Sequence, residues 1–188
     1  MLLGLAATAL GAVMAACAGL QVMVERDPDA RFEALRTYRW DTSPLDRGTG
    51  NPWVDNALLE KRIVTAVDRE LVAVGYERRE SDPVDFLVDY HAALEDRVDV
   101  VETYQTHGAP LYATRRVERL QYTRGTLILD IVDPGTRRQI WRGWATDAVD
   151  RNMAPERVDR EVSEAVREIL ASFPRAGAHD NATEGGAP

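Results

Sequence analysis

Along the chain the apolar positions change period several times, and each change marks an element. Leu20, Val22 and Val24 alternate with Gln21, Met23 and Glu25, the two-residue spacing of a strand. After the turn cluster Asp27-Pro28-Asp29, Thr37 to Asp41 predicts a second strand, with Tyr38 and Trp40 on one face and Phe32 packing ahead of it. Ser43-Pro44 through Thr49-Gly50 reads as a loop. Asn51-Pro52 then predicts a helix start, because it joins a capping side chain to a proline at the first helical position. Leu59, Ile63, Val67, Leu71 and Val74 recur at helical spacing until Gly75 stops them. Glu60, Lys61, Asp68 and Arg69 fall on the opposite, exposed face.

Phe86, Val88 and Tyr90 alternate with Leu87, Asp89 and His91 and predict another strand. Val98 to Tyr104 and Arg116 to Tyr122 are weaker strand candidates, separated by a segment holding Gly108 and Pro110. The strongest local signal is a hairpin. Thr126 to Val132 and Gln139 to Ala145 are rich in β-forming residues and flank Asp133-Pro134-Gly135-Thr136. Pro155 opens a second helix with the stripe Val158, Val162, Ala165, Val166, Ile169 and Phe173, and Pro174 closes it. These elements predict an α+β fold of two layers, a mostly antiparallel or mixed sheet of about six strands with two amphipathic helices on one face. A strand–helix–strand crossover through residues 52 to 74 would supply one parallel pair.

Ahead of the first strand, residues 1 to 24 carry no charge, and Cys17 is the one cysteine of the chain. Met14-Ala15-Ala16-Cys17 follows an apolar run with two small residues and a cysteine, the form of a signal-peptide cleavage site that precedes a lipid-modified cysteine. Three readings stand: a lipoprotein, an uncleaved inner-membrane anchor, and a cysteine buried in a core helix. On the first, residues 1–16 are the signal peptide, 17–19 the anchor junction, 20–174 a single domain and 175–188 a disordered tail. Each acyl methylene buried in a bilayer contributes about 0.8 kcal/mol, so two or more chains on Cys17 would anchor the protein stably. Ala18, not an aspartate, follows Cys17, which favours the outer membrane with the domain facing the periplasm.

Composition narrows the partners. The 188 residues are 45% hydrophobic and 29% charged with a net charge of −8, ordinary for a globular domain and unsuited to nucleic acid. A single cysteine excludes an intrachain disulfide. Arg115, Arg116, Arg119 and Arg124 make a local basic run, read either as a solvated sheet edge or as a surface for an acidic envelope polymer or head group.

The motifs "FEALRTYRW", "LVAVGY", "DFLVDYHA", "RGTLILDIVDPGTRRQIWRGWA" and a helix running into "SFP" follow one another in this order. From Gln21 to Pro174 the chain thereby resembles the bacterial lipoprotein family known as domain of unknown function 4136, most specifically in "GTLILDIVD" and "IWRGWA". That resemblance implies a lipid-anchored envelope protein with an α+β domain. It implies no activity and no catalytic residues.

Catalytic and metal motifs are absent from the sequence: there is no G-x-S-x-G, no H-E-x-x-H, and no Gly-rich phosphate cradle, and no cofactor is implied. His91 near Asp89 reads as a structural or surface histidine. Asp130 shares a strand face with Ile128 and Val132 and needs a partner, for which Arg142 across the hairpin is placed. Trp141 and Trp144, three apart on a strand, face opposite ways, so one can pack under the helices while the other is available to a partner. Trp141, Trp144, Asp130 and Arg142 are thus the candidate contact residues. Two functions follow from this set: a lipid-anchored, non-catalytic module binding an envelope protein or polymer, and a carboxylate-dependent envelope hydrolase using Asp130 with Asp89 or Glu118. A pocket holding two of those carboxylates would favour the hydrolase; a filled sheet–helix interface without a concave site would favour the module.

Overall fold

A computed structural model describes residues 19–41, 50–107 and 112–177, with the backbone alone for 105–107 and 112–114. The predicted signal peptide 1–16, Cys17, residues 43–49 of the predicted loop, Gly108 and Pro110, and residues 178–188 of the predicted tail lie outside the described residues. Six strands form one sheet: β1 (Gln21–Arg26), β2 (Thr37–Trp40), β3 (Glu77–Arg78), β4 (Phe86–His107), β5 (Tyr112–Val132) and β6 (Gln139–Val149). Their spatial order is β1-β6-β5-β4-β2-β3. Helices α1 (Ala57–Ala73) and α2 (Pro155–Leu170) pack together on one face, giving the two-layer α+β fold that the periodicity predicts. β1, β6, β5 and β4 pair antiparallel. β2 lies parallel to β4, reached through α1, and so is the parallel crossover pair.

The core lies on the sheet's helix-facing side. Tyr38, Phe86, Val88, Leu129, Ile131 and Trp141 meet Ile63, Val67 and Leu71 of α1 and Val166 and Ile169 of α2, all essentially inaccessible to solvent. Phe173, just past α2, is the hub of the aromatic cluster. Its ring centroid lies 5.1 Å from Trp141, 5.5 Å from Tyr76 and 6.0 Å from both Phe32 and Phe86. Gly143 makes the close approach possible. A Cβ there would sit 2.4 Å from the Trp141 ring and 2.6 Å from Ile169, so the glycine in "WRGW" is a packing requirement.

Several details differ from the sequence reading, among them the end of α2, which stops at Leu170 and not at Pro174. α1 begins at Ala57, not at Pro52, because Asn56 is the cap that closes it, accepting from Leu59 N–H at 2.9 Å. Asn51 instead accepts from Trp53 N–H in a separate turn. Asp68, assigned to the solvated face of α1, points under the sheet edge. It accepts from Tyr38 Oη at 2.8 Å, Trp40 Nε1 at 3.0 Å and Arg78 Nη1 at 2.6 Å, stapling α1 to β2 and β3.

A further difference is the largest. The two weak strand candidates are the outer halves of β4 and β5, which pair continuously from Leu87↔Val132 to His107↔Tyr112. Beyond Thr123↔Val149 on one edge and Val88↔Trp40 on the other, no further strand among the described residues joins them. They leave the domain as a two-stranded arm. Its pattern is weak because no described residue covers it: Val98, Val100, Val101, Tyr104, Val117 and Leu120 are exposed on both of its faces. Across the arm Arg115 of β5 pairs with Glu102 of β4, and along β5 Arg116 pairs with Glu118. Residues 175–177, assigned by sequence to the tail, run beside the end of α1, where Ala176 N–H donates to Val74 O at 3.0 Å.

Candidate functional site

Two arrangements lie on opposite faces of the sheet. The first is a chamber of about 430 Å³ between the sheet and the N-terminal halves of both helices, beneath the root of the arm. The strand pattern places Ala92, Leu94, Leu127 and Ala145 on its floor, and the helical stripes bring Leu59, Ile63, Val158 and Val162 to its roof. Trp53, Met153 and Leu20 complete the apolar wall. The small side chains Ala92, Gly125 and Ala145 are what leave the space open, since the same sheet face nearer α2's end is filled by Trp141 and Phe173. Charged groups stand among the lining residues: Asp147, Asp150, Glu161 and Glu164 against Arg151. Arg151 pairs with Asp96 at 2.9 Å, while its Nε is buried with no hydrogen-bond partner.

The second arrangement is polar. Asp130 lies directly across from Arg142 on β6 and from Asp89 on β4. Arg142 grips it with both prongs, Nε to Oδ1 at 2.7 Å and Nη2 to Oδ2 at 2.8 Å. This bond holds the Arg142 guanidinium above its ordinary pKa, with burial opposing. His91 Nε2 stands 3.7 Å from a carboxylate oxygen of both Asp89 and Asp130. Asp89 also accepts from the Tyr90 N–H at 2.9 Å. Asp41 joins the same face, buried and paired with Arg137 at 2.6 Å. Asp41, Asp89 and Asp130 are therefore three buried carboxylates on the sheet face opposite the helices.

The sequence candidates distribute accordingly. Asp130 and Arg142 meet as expected across the hairpin. Trp141 is buried in the aromatic core, while Trp144 sits half-buried on the other face opposite Ile128 and the exposed Met23. Asp89 joins Asp130; Glu118 does not, being on the arm beside Arg116 at 2.8 Å. Neither Asp89 nor Asp130 lines the chamber. Trp53, Arg151 and Met153 were not singled out from sequence. The signal for Trp53 and Met153 was an apolar residue in each loop that leads into a helix, where a polar one is usual; Arg151 had none.

Among the described residues no group of three or more His, Cys, Asp or Glu side chains is placed to hold a metal ion. No described helix is long and apolar enough to cross a membrane. No curated protein matches the sequence significantly. Among solved structures, the chain is similar to a PDZ domain protein from Parabacteroides distasonis ATCC 8503, with 14% identity and a TM-score of 0.50. That match covers 84% of this chain and 38% of the other, so the chain spans well under half of that protein. It also aligns with PelC dodecamers from Paraburkholderia phytofirmans in two crystal forms. One has 11% identity and a TM-score of 0.41, covering 85% of this chain and 100% of that one. The other has 10% identity and a TM-score of 0.43, covering 84% and 99%. At these identities the first likeness speaks to fold alone. The sequence is decisive where the structures are not: the family described as a domain of unknown function, DUF4136, matches residues 22–175, and the chain belongs to it.

Proposed function

We propose that this protein is a lipid-anchored cell-envelope module, held at the outer membrane through Cys17 and facing the periplasm, that binds rather than transforms its ligand. The observation that carries the binding role is the apolar chamber of about 430 Å³, a size within the range of small-molecule sites. The sequence reading associated a binding module with a filled interface; the chamber changes that reading from a surface that touches neighbours to a fold with a concave apolar site. The anchor rests on Met14-Ala15-Ala16-Cys17 and on family membership.

One observation favours the hydrolase reading. Asp89 and Asp130 do share a sheet face with His91 between them. Against it, Arg142 occupies both oxygens of Asp130, and the chamber lies on the other side of the sheet. A carboxylate doubly bonded to a guanidinium is poorly placed to exchange a proton with a substrate. The cluster acts as a structural ion network.

Membrane fractionation tests the anchor. Globomycin or Cys17→Ser should block maturation, and unchanged fractionation would refute it. Titration of the purified Cys17→Ser protein, which carries no acyl chain, with the neutral apolar dye N-phenyl-1-naphthylamine tests the chamber. Saturable binding that falls at least tenfold on adding Ala145→Leu is expected; absence of saturable binding rejects the site.

A further inference from the structure

Three properties of the chamber select a ligand. Its wall runs as apolar surface from Leu20 and Leu59 to Val162, and its volume of about 430 Å³ holds about 14 methylene groups at roughly 30 Å³ each, close to the share of one water. Its charged lining is four carboxylates to one guanidinium, so an anionic head group would meet net repulsion. Arg151 Nε, among those lining groups, is a buried donor with no acceptor, although Nη2 is engaged by Asp96. A buried N–H without an acceptor is destabilising, and a neutral carbonyl would satisfy it without adding negative charge. An acyl ester or amide has both parts: an alkyl chain and an uncharged carbonyl.

The chain's own entry point says where such a group comes from. Gly19 lines the chamber, immediately before β1. Position 17 is two residues upstream, within about 7 Å of Gly19 at full extension. We propose that the chamber receives an acyl chain borne by Cys17, with the ester or amide carbonyl accepting from Arg151 Nε. This assignment rests on the lipidation reading above. Held on the same polypeptide, that chain has a high effective concentration at the chamber. The fold therefore competes with the bilayer for one chain of the anchor, while the remaining chains hold the membrane.

The test uses the full-length protein from cells fed a fatty acid carrying a diazirine in its chain. The protein is isolated in polymer-bounded native membrane discs, irradiated, digested and mapped by mass spectrometry. The expected result is crosslinking of the Cys17-linked chain to Ile63, Val158 or Val162. Those crosslinks should fall at least fivefold in Ala145→Leu and in Ala92→Leu, two independent substitutions that fill the chamber. Crosslinks from the Cys17 chain confined to bilayer lipid overturn the proposal. So does labelling of the chamber only by lipid not attached to Cys17. The intact mass reads lipidation separately: an unmodified Cys17 defeats the anchor reading itself, whereas a lipidated Cys17 without chamber crosslinks defeats only this one.

Discussion

Asp130 and Arg142 face each other across the β5–β6 hairpin and join through two parallel hydrogen bonds of 2.7 and 2.8 Å. The carboxylate is buried, while more than a third of the Arg142 side chain meets solvent. Its neighbour across the other ladder is a second buried carboxylate, Asp89. The guanidinium thus offsets repulsion between two acids that the register forces together.

The pair is accordingly asymmetric. Arg142→Leu leaves Asp130 and Asp89 facing each other under cover and should destabilise by about 3–5 kcal/mol, the cost of orphaning a buried charge. Asp130→Leu removes one of the two acids and leaves an arginine that can reach water, so its cost should be smaller. Urea unfolding of both variants checks the ranking; equal losses would show that Arg142 does not serve the carboxylate pair.

Gly143 offers a test of packing. Gly143→Ala drives a methyl into the Trp141 ring and Ile169 and should cost about 1–3 kcal/mol through overpacking. Gly135→Ala is the control: its nearest neighbour would be Asp133 Oδ1 at 3.5 Å, an ordinary contact, and the midpoint should hardly move. Thermal or urea midpoints of the two variants decide it.

Asp68→Ala should cost about 1–3 kcal/mol, because it leaves the hydroxyl of the fully buried Tyr38 without its acceptor. Tyr38→Phe with Asp68→Ala should lose less than the sum of the singles, a coupling that a double-mutant cycle measures. The phenol is already held far above its ordinary pKa, first by burial and then by its bond to Asp68.

Asp85 should contribute to acid sensitivity. Burial works to raise its pKa, but hydrogen bonds from the Thr37 and Arg36 N–H groups and the Thr37 hydroxyl prevail and hold it below the ordinary carboxylate value. A depressed folded value means that the unfolded chain binds the proton first. The contribution is therefore full above about pH 4 and is lost as pH falls through the lower folded value. In Asp85→Asn the stability–pH curve should flatten in that window; an unchanged slope would assign acid sensitivity elsewhere.

Hydrogen exchange should divide β4 and β5 into two zones. Amides of residues 86–92 and 126–132, paired on both sides or under the helices, should be strongly protected. Those of residues 97–104 and 115–121, in a ribbon with two open edges, should exchange orders of magnitude faster. Uniform protection along the arm would mean that something covers it.

The layer architecture was legible in the chain because a buried face imposes a period, and both helices and the β5–β6 hairpin have one. Asp130 with Arg142 was readable for a related reason: an acid among Ile128 and Val132 demands a cation, and a tight turn fixes which residue stands opposite. The arm was not readable as one body, since a ribbon without a covering layer has no preferred side for Val98, Val101 or Leu120. Asp68 was misassigned because its partners Tyr38, Trp40 and Arg78 come from strands on either side of α1 in sequence. The chamber was invisible because it results from side chains too small for the space above them, which only three dimensions reveal.

Gln21 pairs with Thr146, and Thr146 with Thr126, at the place where β4 and β5 leave the body. Polypeptide entry and ribbon exit therefore share a single pole. About a dozen residue pairs beyond that point, at roughly 3.4 Å each, carry the ribbon's tip some 40 Å outward. A small tilt of the body about that pole would therefore sweep the far end of the ribbon through a wide arc.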